Sequence, residues 1–164
     1  MASTCEKIAT TTLGSAAAST TFSSISGSYT DLVVVSNIIG AGTGYPSYRF
    51  NSDTGTNYSF TQVYGNGTTV GSDRAPNYAS IIIPFPDRYT TSAGYMGIAN
   101  IQNYSNTTTY KTLLGRSGNA GSGTTATVGL WRNTAAITSI TITAVDANFA
   151  SGSTFTIYGI LKAA

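Results

Sequence analysis

The side chains able to do chemistry in this 164-residue chain are few and scattered. Its carboxylates are Glu6, Asp31, Asp53, Asp73, Asp87 and Asp146, all isolated from one another in sequence. Folding needs to bring only two of them together for acid–base hydrolysis of a glycosidic bond. Isolation alone therefore does not exclude such a reaction. Asp31 falls at a predicted strand start and the other aspartates fall in predicted turns, where Asp bonds its own backbone. Histidine is absent, which removes the commonest general base, the commonest transition-metal ligand and every Ser-His-Asp or Cys-His arrangement. Cys5 is the only cysteine. It can supply neither a Cys/His zinc set nor an intramolecular disulfide, which is the usage expected of a reducing cytoplasm. The reading is of a non-enzyme, with no catalytic, cofactor-binding or metal-ligating residue assigned.

Two short motifs imitate ligand sites. Gly40-Ala41-Gly42-Thr43-Gly44 follows an apolar strand in the manner of a dinucleotide loop, but Pro46 and another strand follow it. No helix N-terminus would then face a phosphate. Asn51, Asp53, Gly55 and Asn57 alternate as in a calcium loop. Their glycine is one place early, and Gln62 stands where a closing Glu belongs. A turn explains them better. Asn57, Asn66, Asn103 and Asn106 each open an Asn-x-Ser/Thr triplet, as chance allows in a chain with 11 Asn, 20 Ser and 28 Thr. Eleven tyrosines accompany one tryptophan, Trp131. Tyrosine has an apolar body and a polar tip, so the tyrosines of the middle third suit either strand filling or a contact surface. Trp131 is expected in the core.

The elements that must position these groups are strands. Only 9% of residues are charged, against roughly 25% in ordinary soluble domains. Lysine and glutamate, which favour helices, number three and one, while Thr, Tyr, Ile and Val suit strands. Three runs in the last third carry the clearest pattern: residues 124–131 (TTATVGLW), 136–143 (AITSITIT) and 154–161 (TFTIYGIL). Strict alternation places successive side chains on opposite faces of a sheet. Residues 31–40 (DLVVVSNIIG) form the most apolar run and read as a strand buried on both faces. Further strands are expected at 20–25, 79–85, 95–103 and 108–114. A hairpin joins 47–50 to 58–64, a turn covers 64–67, and 116–123 is a flexible loop. Pro84 and Pro86 should end their strand at an edge.

About ten strands with turns every eight to fifteen residues define an all-β antiparallel β-sandwich, jelly-roll-like. Residues 1–19 form an N-terminal arm or edge segment, with one strand near 7–12, and residues 20–164 form a single sandwich domain. Net charge is +2 and the basic residues are scattered singly, so no nucleic-acid partner is expected. No apolar run reaches the roughly 18 residues of a membrane span, and MASTCEKIATTT lacks the pattern of a secretory signal.

Three stretches together carry a resemblance: IATTTLGSAAASTTFSSI leading into YTDLVVV, FNSDTGTNYSFTQV with YGNG, and GLWRNTAAITSI with GSTFTIYGI. They resemble small β-sandwich structural proteins of tailed bacteriophage virions, over most of the chain. The resemblance implies localisation in the virion, assembly in the host cytoplasm, and a homo-oligomer, a trimer by expectation. Its partner would be the major capsid protein or another virion protein. Sandwich-like sequence begins within about twenty residues of Met1 without a shaft repeat, which favours a head decoration (cement) protein. A receptor- or glycan-binding fibre tip is the alternative.

Overall fold

The structure, a computed structural model, describes residues 4–83, 88–119 and 121–161. Among them are twelve strands: β1 (Cys5–Thr12), β2 (Ser19–Phe22), β3 (Asp31–Ile38), β4 (Tyr45–Phe50), β5 (Tyr58–Gly65), β6 (Val70–Tyr78), β7 (Ile81–Ile82), β8 (Tyr95–Gln102), β9 (Lys111–Asn119), β10 (Gly123–Trp131), β11 (Ile140–Val145) and β12 (Thr154–Ile160). They form an eight-stranded sheet, β1-β12-β3-β8-β9-β10-β5-β6, and a four-stranded sheet, β2-β11-β4-β7. All pairings are antiparallel. The fold is an all-β sandwich.

Its winding is that of a jelly roll. β1 pairs with β12, β2 with β11, β3 with β8 and β4 with β7. These pairs are nested in sequence, so the chain forms one long hairpin that curls until its pairs alternate between two sheets. Two further hairpins, β5–β6 and β9–β10, are inserted into this scheme. β10 pairs with β5 along its length, which fuses the hairpins into a four-stranded extension of the large sheet. The segment read as an arm or edge contains β1, and β1 lies at one edge of that sheet.

Alternation decides what lies between the sheets. Leu32, Val34 and Ile38 of β3 and Phe155 and Ile157 of β12 point inward from the large sheet, all fully buried. Tyr48 and Phe50 of β4 and Ile140 and Ile142 of β11 meet them from the small sheet. Each such burial stabilises the fold by about 1.5–3 kcal/mol relative to exposure. Gly129 on β10 lets β7 come close: a β-carbon there would lie 2.6 Å from Ile81 side-chain atoms. At Gly44 a β-carbon would lie 2.4 Å from the Val145 carbonyl oxygen. The glycines of 40–44 therefore serve backbone packing.

Several expectations are corrected. The strands at 47–50 and 58–64 do not form a hairpin, because β4 belongs to the small sheet and β5 to the large. The turn between them carries the chain across the sandwich, where the Tyr58 hydroxyl accepts from the Phe50 N–H (3.0 Å) and donates to its carbonyl (3.2 Å). Residues 116–123 are mostly strand, since β9 runs to Asn119 and β10 starts at Gly123. β3 is fully buried on its inner face alone: its outer side chains are half-buried or exposed, and no second layer of described residues lies over them. β6, VGSDRAPNY, was not anticipated. The run at 79–85 is ordered as the two-residue β7, and Pro84 and Pro86 lie outside the described residues.

Candidate interaction face

The described carboxylates each serve local structure. Asp31 accepts from the Asn103 N–H at 2.7 Å, Glu6 from the Tyr29 hydroxyl at 3.2 Å, and Asp146 pairs with Arg88 at 3.1 Å. Asp73 accepts only from the Arg74 N–H, at 2.8 Å. Asp87 lies outside the described residues. No group of three or more His, Cys, Asp or Glu converges among those described.

Asp53 is the most engaged of them. One oxygen accepts from the Gly55 N–H (2.8 Å), the other from the Asn57 amide (3.0 Å) and the Trp131 indole N–H (2.7 Å). Burial raises its pKa, but the bonds from Trp131, Asn57 and Gly55 outweigh that and hold it below the usual carboxylate range. Asn51 turns elsewhere: it donates to the Ala136 carbonyl and accepts from Thr138 and Ser139 N–H groups. Asp53 thus gathers Gly55, Asn57 and Trp131, while Asn51 ties the turn to residues 136–139.

Tyr48, Tyr58, Tyr89, Tyr95 and Tyr104 are fully buried, so the crowded middle third fills the core. Burial pushes the Tyr58 hydroxyl up to about 12 and raises those of Tyr48, Tyr89 and Tyr104. Tyr78 and Tyr110 remain exposed. Trp131 is fully buried, as its strand position implied. Lys111 was missed. It is fully buried, donates to the carbonyls of Thr109 (2.6 Å) and Thr134 (3.0 Å), and burial lowers its pKa. The alternation of 108–114 puts it in phase with buried Leu113, which was the available clue.

The surface that stands out is the outer face of the large sheet. Register aligns its outward side chains in rows. One runs Val33, Asn100, Leu114, Val128, Thr61, Arg74; the next runs Val35, Ile98, Arg116, Ala126, Val63, Ser72. Met96, Val63 and Val128 are 61%, 58% and 50% exposed. Shallow apolar grooves flank Arg116 on both sides, toward Val63 and Val70 and toward Met96 and Ile98. The Arg116 side chain makes no hydrogen bond or ion pair with any described residue. Val33, Val35, Ile98, Leu114, Ala126, Val128 and Val63 thus adjoin one another across five strands, interrupted by Asn100, Arg116 and Thr61. Sequence reading saw the apolar residues but placed β3 in a two-sided core and 116–123 in a loop, so the face went unrecognised.

Fold and face together define a jelly-roll domain with one uncovered apolar sheet surface. No family model matches the chain, and no curated protein is significantly similar to it. Among the described residues no helix is long and apolar enough to cross a membrane.

Proposed function

We propose that the chain is a non-enzymatic structural protein of a tailed-phage virion, a decoration (cement) protein that stabilises the head through contacts of its large sheet. The observation that carries this reading is the uncovered face of β3, β8, β9, β10 and β5, apolar over most of two rows. The resemblance of the opening, turn and closing stretches to small virion β-sandwich proteins supports the setting. Contacts through such a face are individually weak and are summed by the many copies on a shell. Glu6, Asp31, Asp53 and Asp146 are each bonded to a distant part of the chain, which suits a protein whose work is mechanical. The test is imaging of particles lacking the protein, together with its partition between purified heads and tails. Lost head stability and co-purification with heads are expected. Unchanged heads with lost host attachment would refute the reading.

Exposed Tyr78 and Tyr110 favour a second reading. They flank the same end of the large sheet, where Lys111, Trp131, Tyr58 and Tyr78 align in register. Exposed aromatic rings stack on sugar rings, as in a receptor- or glycan-binding tip. Binding on a glycan array that is lost on Tyr78→Ala and Tyr110→Ala would establish this alternative.

A further inference from the structure

We propose that the outer sheet face is a contact between copies of this chain, in which Arg116 pairs with Asp73 of the neighbouring copy. The inference rests on reading this face as an interface, and it names the occupant. Neighbouring strands lie about 4.8 Å apart and outward side chains recur about every 6.8 Å, so each outward position covers roughly 33 Å². With the next row, Asn37, Met96, Gly118, Thr124 and Gly65, three rows across β3, β8, β9, β10 and β5 give roughly 500 Å² of flat sheet before side-chain relief is added. That is below the ~800 Å² per partner of standard stable complexes and matches the smaller class of weaker contacts. The composition also fits: neither aligned row holds a lysine or an acid, and their two arginines are Arg116 within the face and Arg74 at its β6 edge.

Charge selects the partner. Arg116 is exposed, its side chain has no ion-pair partner among the described residues, and its guanidinium can take a carboxylate bidentately. Within the chain Asp73 cannot reach it. Asp73 is on β6, three strands away or about 14 Å, and its register partner is the inward-facing Gln62. It is exposed, and its only bond is to the next residue's N–H. On the same edge strand Val70 is 87% exposed. Asp73 and Arg74, with Pro76 lacking a donor, keep this edge from extending into another sheet. The edge of one copy therefore offers a valine on its outer side and a carboxylate on its inner side, and the face of the next offers a guanidinium between apolar grooves. Because the two patches differ, the contact is heterologous, and a closed set of copies forms a ring.

The test is the solution mass of the full chain by light scattering and sedimentation. The expected mass is a small multiple of the 16.9 kDa chain, threefold for the trimer. Arg116→Asp and Asp73→Arg should each raise the dissociation constant about tenfold or more, and the double reversal should restore association. Leu114→Lys with Val128→Lys should give a monomer of unchanged circular dichroism, since both positions are exposed. A monomeric wild type, or an oligomer indifferent to these reversals, overturns the proposal. A monomer that still co-purifies with heads, or that floats with anionic lipid vesicles, also overturns it, and the first of these leaves the decoration role standing.

Discussion

Replacing Asp53 by alanine should strip the support from beneath Trp131. The substitution removes a charge-assisted bond to the indole N–H and leaves that buried donor without an acceptor, at a cost of about 1–3 kcal/mol. The bonds to Gly55 and Asn57, which shape the crossing between β4 and β5, add about 1 kcal/mol. Taken together, a loss of about 3 kcal/mol is expected. For a chain of this length that lowers Tm by roughly 9 °C. Urea unfolding followed by the emission of the single tryptophan measures it directly, because the residue that reports is the one that loses its partner. The acid dependence has a definite sign. Asp53 has its pKa depressed in the folded state, so its contribution is present above the unfolded value, about 3.9, and is lost as pH falls through the folded one. Wild type and Asp53→Ala should therefore differ most near neutrality and converge in acid. A difference below about 0.5 kcal/mol at pH 7, where surface substitutions fall, would refute this role of Asp53.

Gly44→Ala should destabilise the fold by about 3 kcal/mol or more, because the added carbon meets the Val145 backbone oxygen rather than a movable side chain. The readout is a lowered urea midpoint, or failure to fold. Raising the pH should unfold the protein in a way set by its buried phenols. The Tyr58 hydroxyl is held up at about 12, so its contribution is intact below the unfolded value near 10 and is lost as pH rises toward 12. Phenolate absorbance should show buried Tyr48, Tyr58, Tyr89 and Tyr104 ionising only as the fold is lost. Ionisation of those four near 10 in a folded chain would contradict the burial.

How much of this was legible in the sequence depended on what each stretch packs against. The alternation of 124–131 and 154–161 became β10 and β12, because each buries one face and period two survives in the residue types. β6 buries almost nothing and reads as a polar linker, with Pro76 inside it. Residues 116–119 are Arg, Ser, Gly and Asn, a loop by composition, yet they pair with β8 on one side and β10 on the other. The turn at 51–57 announced a reversal correctly. Turn residues cannot say whether the chain returns to its own sheet or crosses to the other, and here the Tyr58–Phe50 bonds settle it. Nor could the tyrosines be sorted without register, since the same ring fills a core or meets a neighbour depending on which face it takes. The uncovered face needed the complete strand order, as its rows join residues from β3 to β6 that sequence keeps far apart.

The nested winding has a consequence during synthesis. β1 has β12 as its sole partner strand and β2 has β11, so both leave the ribosome long before anything exists for them to zip against. Polypeptide arrested before residue 140 would present two orphan strands and the half-paired β3 to every other nascent copy. Messages truncated in the last quarter should therefore yield inclusion bodies rather than shortened soluble protein, and slow completion rather than slow initiation should limit the harvest.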